Sequence, residues 1–371
     1  MGASHGSAMA WCNIAVDIPT TQLGAANLTW GVPAYSGADG EATGSKGLGG
    51  GPVRAARTFE PGEVVERSLC VPWPVSTHSR GRPGCFLEAY CIACPSSGCQ
   101  KQASISSHSG LRLLPIGGWA LLFEQDVVRA NLSLEYEASS EPTCHWLLFR
   151  AVRRILPGEA LLVPGRASTA QAPCRSVSAT PVAYPPVFEA ARRAAHVDDM
   201  ILQDPEEHEE DYVLYEAPEV LSMAQSPLAC IGASTIQGVG VFACRDIRCG
   251  EVVDIAPTLP LAYQEISSSL LCDYVYQSDF TMPRGGSKRA VVLLPLGLGG
   301  LYNHSSTAAN VRPCRFLTQP FVQAWVAQEF VPAGSELLAF YGAQYWQAPW
   351  RESPREVMGA PERQASMTRM R

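Results

Sequence analysis

A chain of 371 residues, 46% apolar and 17% charged, is long enough for two to three domains with real hydrophobic cores. Its 32 glycines and 29 prolines interrupt helical patterns too often for a helical bundle or a long coiled coil, and favour short strands joined by tight turns. The formal charge of −7 lacks the basic footprint of a protein that grips phosphate backbones, so direct nucleic-acid binding is not expected.

No run approaches the roughly 18 to 20 apolar residues of a membrane span; the longest, 111–123 and 291–302, are broken by Pro and Gly. The first residues lack the basic and apolar regions of a signal peptide, and Gly6 stands where a myristoylation motif wants Ser or Thr. An intracellular protein of nucleus or cytoplasm is therefore expected, with no membrane partner. Thirteen cysteines without an export signal read as mostly reduced, buried thiols, which makes the Asn-x-Ser/Thr triplets at Asn27, Asn131 and Asn303 chance matches.

In chain order, residues 1–46 are rich in Gly, Ala, Ser and Thr and read as a flexible lead-in. Strand-like apolar runs follow at Glu63–Val65, Leu111–Pro115, Leu121–Phe123, His145–Val152 and Ala160–Val163, separated by turn residues. A Ser/Thr/Ala/Pro loop covers 166–182, and Val187–Leu202 shows helical spacing through Phe188, Ala191, Ala195 and Met200. The acids Asp204, Glu206, Glu207, Glu209, Glu210 and Asp211 then read as a solvated linker, the alternative being a dock for a basic substrate. Strand grammar returns at Gly240–Ala243, Glu251–Ile255, Ala290–Leu294, Val322–Gln328 and Leu337–Tyr341.

The two strand-rich stretches match each other. Phe59-Glu60-Pro61-Gly62-Glu63-Val64-Val65 lies over Ile247-Arg248-Cys249-Gly250-Glu251-Val252-Val253, and Leu113-Leu114-Pro115-Ile116-Gly117 lies over Leu293-Leu294-Pro295-Leu296-Gly297. Arg129-Ala130-Asn131 lies over Ala308-Ala309-Asn310, and Ile155 to Leu162 lies over Phe330 to Leu338 with one residue inserted. The expected plan is a β-rich domain at 47–166, a helical and acidic linker at 167–228, a second β-rich domain at 229–346 and a polar tail at 347–371.

The second stretch holds Gly238-Val239-Gly240, then Leu301-Tyr302-Asn303-His304-Ser305 with Asn310, then Gly334, Glu336, Leu337, Tyr341, Gly342 and Tyr345-Trp346. In these motifs, their order and their spacing the chain resembles the SET-domain family of protein-lysine methyltransferases. The resemblance implies a mainly β fold of short strands with knot-like C-terminal threading, in tandem with a degenerate SET-like copy at 47–166. It also implies S-adenosylmethionine as cofactor and a lysine-containing protein segment, histone or non-histone, as partner.

The residue types suit those roles. A Gly-x-Gly turn lets backbone groups approach a ligand with no Cβ in the way, so Gly238, Val239 and Gly240 are cofactor-binding candidates. Asn303 carries donor and acceptor on a short side chain, and in the resembling family the residue at His304 serves mainly through its backbone. Methyl transfer from a sulfonium to an amine is an in-line displacement in which positioning outweighs acid–base chemistry. Tyr341 is the catalytic candidate, with Trp346 a further cofactor contact. Aromatics available to wall a lysine channel are Tyr274, Tyr276, Phe280, Phe340, Tyr345 and Trp346, with Tyr274, Tyr276 and Phe340 placed in the channel.

Phe340 stands where the family usually has an acid, and Gly334-Ser335-Glu336 replaces the usual Gly-Glu-Glu. In the first stretch Pro52 falls at the place of Gly240, Phe123-Glu124-Gln125 at that of Tyr302-Asn303-His304, and Val163-Pro164-Gly165 at that of Phe340-Tyr341-Gly342. That stretch is expected to fold without binding cofactor. Its Cys91-x-x-Cys94 with Cys99 and Cys85 has zinc-like spacing but no second Cys-x-x-Cys or His pair, so these four are weak metal candidates and ordinary thiols are the favoured reading. The competing functional class is a catalytically weak or inactive scaffold or reader.

Overall fold

The computed structural model describes residues 26–31, 52–73, 87, 90–93, 112–126, 128–138, 145–164, 187–196, 201–202, 213–214, 220–224, 228–266, 270–278, 280–281, 291–316 and 319–342. Over these residues the chain is mainly β, as its glycine- and proline-rich composition predicts. No helix among them is long and apolar enough to cross a membrane.

The first half contributes β1 (Ala26–Gly31), β2 (Arg54–Ala55), β3 (Val64–Trp73), β4 (Ile92–Ala93), β5 (Arg112–Pro115), β6 (Glu124–Gln125), β7 (Leu132–Ala138), β8 (His145–Ala151) and β9 (Leu162–Val163). Five of these form one sheet in the order β4-β5-β3-β8-β7, and β6 pairs in parallel with β9. β8 is an apolar run that is almost wholly buried, whereas β7 alternates Leu, Ser, Leu, Glu, Tyr, Glu and sits at the sheet edge. The outward acids of β7 meet cross-strand arginines, Glu137 with Arg67 at 2.8 Å and Glu135 with Arg150 at 2.6 Å.

Three expectations are corrected here. The lead-in 1–46 contains β1, whose Leu28 and Trp30 are buried and which pairs with β2 and with β12 (Val220–Ala224) from the linker. Leu121–Phe123 is not a strand: Ala120–Leu122 is a 3₁₀ turn, because the buried Glu66 carboxylate accepts the Trp119 and Ala120 N–H groups at 3.1 and 2.8 Å. The helix expected over 187–202 stops early. Helix α1 (Val187–Ala195) ends at His196, which takes φ +55, and Ile201–Leu202 is a strand, β10. In the rest of the linker β11 (Val213–Leu214) pairs with the second half, while the acidic run 204–211 lies outside the described residues.

The second half comprises β13 (Ala229–Ala233), β14 (Val239–Ala243), β15 (Val252–Ala262), α2 (Tyr263–Ile266), β16 (Tyr276–Gln277), β17 (Phe280–Thr281), β18 (Val291–Pro295), β19 (Asn303–His304), β20 (Val311–Phe316), β21 (Gln319–Ala327) and β22 (Glu336–Ala339). Its sheet runs β13-β14-β22-β20-β21-β15-β18-β16, with β11 joined to β20 and β19 to β22. β22 therefore lies between β14 and β20, antiparallel to the first and parallel to the second and to β19.

The bonds of one half recur in the other. Phe59 and Ile155 exchange N–H···O bonds as Ile247 and Val331 do, Asn131 holds Ala160 O and Leu162 N as Asn310 holds Glu336 O and Leu338 N, and Arg57–Glu63 answers to Arg245–Glu251. This fixes the register of the last block without an insertion: Ile155 matches Val331, and Gly158 matches Gly334, both at positive φ (+85° and +80°) in the same tight turn. Val163 then corresponds to Ala339 and Pro164 to Phe340, one residue away from the alignment read from sequence. Position 165, which matches Tyr341, lies outside the described residues.

Candidate functional site

The turn between β13 and β14 is closed by Ser234 N–H donating to Gly238 O at 2.9 Å and by Ser234 Oγ accepting the Ile236 N–H at 2.9 Å. Gly238 takes φ +52 with open space where a Cβ would stand. Gly240 is the opposite case: a Cβ there would overlap Glu336 Oε1 and lie 3.1 Å from Asn303 Nδ2. The turn is thus built on two other segments of the chain.

Those segments meet at the Asn303 amide. Its Nδ2 donates to Glu336 Oε1 at 2.8 Å, to Val239 O at 3.0 Å and to Gln237 O at 3.2 Å, and Ser234 Oγ donates to Glu336 Oε2 at 3.0 Å. The donor face of Asn303 is therefore spent on holding the turn. Ser234 and Glu336 complete that clamp, a role that residue-type reasoning had not assigned to either.

β19 lies parallel to β22, pairing Asn303 with Leu338 and His304 with Ala339. This register carries the chain beyond β22 past His304, whose Nδ1 accepts the Tyr341 N–H at 3.2 Å. Accepting at Nδ1 leaves the ring neutral, and burial holds its pKa below the ordinary histidine value against a smaller opposing effect of the Ala339 backbone. The His304 ring lies 5.1 Å from that of Tyr341 and 5.7 Å from that of Phe340. The side chain at 304 thus has a packing task besides whatever its backbone does.

The half-buried Tyr341 donates its hydroxyl to Tyr302 O. Tyr302 itself is buried at 1% exposure, and its own hydroxyl has no hydrogen-bond partner among the described residues. Enclosure raises its pKa well above the usual tyrosine value, with Asp254 and Tyr276 adding to the rise. The Tyr302 carbonyl, fixed at the end of the 3₁₀ turn Gly299–Leu301, is the acceptor that orients Tyr341.

Of the other expected residues, Tyr276 donates its hydroxyl to Gly299 O at 2.9 Å, and burial pushes that hydroxyl up to about 12. It braces the 3₁₀ turn and does not offer a hydroxyl to a channel. Tyr274 is half-buried, with its carbonyl 3.1 Å from where a Cβ on Gly300 would stand. Phe280 stacks on Phe321 at 5.6 Å as a core residue. Phe340 is 53% exposed beside Tyr341, whereas Tyr345 and Trp346 lie outside the described residues.

In the first half Glu124-Gln125 occupies the strand position of Asn303-His304, and Pro52 that of Gly240, so among the described residues no amide stands in the place of Asn303. Of the four cysteines with zinc-like spacing only Cys91 is described. It is buried, with Sγ donating to Leu87 O at 3.4 Å. Among the described residues no three His, Cys, Asp or Glu side chains are grouped as metal ligands.

No protein-family model matches the chain, and no curated protein matches it. Solved structures do. A Plasmodium falciparum protein named as a candidate histone methyltransferase is 30% identical over 33% of this chain and 98% of its own, with a TM-score of 0.26. A humanized mutant of the Chaetomium thermophilum Polycomb Repressive Complex 2, bound to an inhibitor, is 21% identical over 32% of this chain, at TM-score 0.26. A second ctPRC2 structure is 20% identical over 32%, at TM-score 0.25. This chain spans only 15% of each of the two complex-derived chains.

Proposed function

We propose that residues 229–346 form a SET-type domain that transfers a methyl group from S-adenosylmethionine to a lysine side chain of a protein substrate. Residues 47–166 are, on this reading, a second copy of the same framework that has lost the ligand residues. The observation that carries the reading is the convergence at Asn303. One amide ties the Gly238–Gly240 turn, 64 residues away, to Glu336, 33 residues away, while the next strand end delivers Tyr341 to the Tyr302 carbonyl.

These residues fit the cofactor. The turn has open space at Gly238, and the half-buried Asn303 uses Nδ2 for the clamp, so its amide oxygen is the atom suited to accept from an ammonium. Gly238, Val239, Gly240, Asn303 and His304 would hold S-adenosylmethionine, which supplies an electrophilic methyl on a sulfonium. Trp346 is assigned to the same group on the sequence resemblance.

The chain's own contribution is orientation. Tyr341, with its phenol fixed on Tyr302 O, presents a directed oxygen to the amine, and the neighbouring carbonyls supply weak C–H···O acceptors. A lysine ammonium with a free pKa near 10.4 loses its proton more readily when desolvated beside a positive centre, so the reactive form is the neutral amine and the proton leaves to water. No carboxylate base is needed, which agrees with Glu336 being committed to the Asn303 clamp. Phe340 and Tyr274 form the rim of the lysine channel.

The test is calorimetric binding of S-adenosylmethionine, followed by transfer of labelled methyl groups to candidate proteins. Tyr341→Phe is expected to keep binding and lose transfer, and Asn303→Ala to lose both. Unaltered transfer in both variants refutes the site. The exposed Phe340 beside Tyr341 favours a second reading, a non-catalytic scaffold that displays an apolar rim to a partner; absence of cofactor binding selects it.

A further inference from the structure

At the entry of the turn that leads to Tyr302 lies a polar side chain that the reaction as described does not use. Asp254, half-buried, is the single acid in the otherwise uncharged strand β15. Its Oδ2 accepts the Leu298 N–H at 3.3 Å, at the entry of the turn Gly299–Leu301. Directly across the β15–β21 ladder is Trp325, fully buried, whose ring fills the space beneath Gly299 so closely that a Cβ there would overlap it. Tyr276, edge-on to the Trp325 ring at 6.1 Å, donates its hydroxyl to Gly299 O. The turn's own Leu301 N–H bonds Leu298 O at 2.9 Å, and the first carbonyl beyond it, that of Tyr302, takes the Tyr341 hydroxyl.

We infer that Asp254 is a positioning residue for Tyr341: it anchors the 298–302 turn from below, with Trp325 as the floor and Tyr276 as the side brace, and so sets where the Tyr302 carbonyl points. The inference rests on the methyl-transfer reading for its consequence in rate, but its geometry is independent of it. The cofactor clamp at Asn303 is held by a separate set of bonds, so losing the anchor disturbs the phenol and spares the cofactor. The first half supplies an internal control. Glu66 stands at the position matching Asp254 and accepts the N–H groups of Trp119 and Ala120 at the matching 3₁₀ turn, with Ser68 Oγ as a further donor, yet no phenol hangs on that turn's exit among the described residues.

The experiment compares Asp254→Asn with Glu66→Gln in the full chain labelled at tyrosine Cζ, the Tyr341 signal being assigned by its loss in Tyr341→Phe. Asp254→Asn is expected to shift the Tyr341 resonance and to lower kcat roughly 10- to 100-fold, with the cofactor Kd within about twofold of the parent. Glu66→Gln is expected to leave that resonance and kcat unchanged. Should Asp254→Asn fail to fold, Tyr276→Phe, which removes the brace on the same turn without changing its volume, is expected to move the same resonance in the same direction. An unmoved Tyr341 signal in a folded Asp254→Asn or Tyr276→Phe protein overturns the inference, as does an equal shift in Glu66→Gln. Failure of the parent to bind S-adenosylmethionine refutes the methyl-transfer reading alone, because the resonance still scores the anchor.

Discussion

Replacing Gly240 by Ala tests the clamp most directly. The added methyl would overlap Glu336 Oε1 and approach Asn303 Nδ2 to 3.1 Å, and neither neighbour is loose: Glu336 is tied by both oxygens, to Ser234 Oγ at 3.0 Å and to Asn303 Nδ2 at 2.8 Å. Relieving the overlap means breaking at least the Asn303–Glu336 bond, a charge-assisted contact contributing about 1.5–3 kcal/mol, or accepting overpacking strain of about 1–3 kcal/mol. S-adenosylmethionine affinity is expected to fall by roughly 10- to 100-fold, since about 1.4 kcal/mol is tenfold. Gly238→Ala, with nothing within 4 Å and φ +52, costs only the backbone strain of about 1 kcal/mol and weakens binding less. The assay is calorimetry on both variants and on Glu336→Ala with and without Gly240→Ala. Because Glu336→Ala removes the group that the methyl strikes, the double variant is expected to lose less than the sum of the singles by about 1 kcal/mol. Strict additivity, or an unimpaired Gly240→Ala, would refute the clamp.

Further outcomes follow from other contacts. Tyr341→Phe removes the bond to Tyr302 O and is expected to lower kcat by about 100-fold or more with cofactor Kd unchanged, read by single-turnover transfer. Asn131→Ala and Asn310→Ala each strand two backbone groups at matching places and are expected to destabilise the fold by about 2–4 kcal/mol in denaturant titrations, with only Asn310→Ala weakening the cofactor. Burial raises the Glu66 carboxyl to about 7 and that of Asp254 to about 6. A carboxyl raised on folding contributes stability that is complete below its unfolded value near 4.5 and is lost as the pH climbs through the folded one. Stability is therefore expected to fall between about pH 4 and 7, by on the order of 3 kcal/mol from Glu66 at about 1.36 kcal/mol per unit. Glu66→Gln should flatten that slope, and an unchanged slope would show that the carboxyl is not the group titrating.

Strand grammar located the interior strands because runs such as His145 to Ala151 are apolar enough to be buried on both faces. It passed over β7, where Leu132-Ser133-Leu134-Glu135-Tyr136-Glu137 alternates and half the residues are polar, although strict alternation is itself the mark of an edge strand. β1 was hidden because a six-residue strand in a Gly- and Ser-rich stretch shows itself only through Leu28 and Trp30 meeting a partner strand nearly 200 residues away. The candidate site was legible as residue types: the Gly-x-Gly turn, Asn303-His304 and Tyr341 do meet. What residue types did not disclose is which atoms are already engaged: the donor face of Asn303 holds the turn, and the Tyr276 hydroxyl braces a backbone carbonyl. Asp254 carried a readable signal, a lone carboxylate in an otherwise uncharged strand, which demands a hydrogen-bonding reason.

The placement of β22 also sets an order of assembly on the ribosome. β22 contributes Glu336 to the clamp, separates β14 from β20 and carries the chain on to Tyr341, so the candidate site does not exist until that segment has emerged and slotted between strands made about 25 and 95 residues earlier. The first half closes its own parallel pair, β6 with β9, far sooner. It can therefore stand as a finished neighbour, already offering Ile116 O to the Gly297 N–H at 3.1 Å, while the second half waits for its last strand.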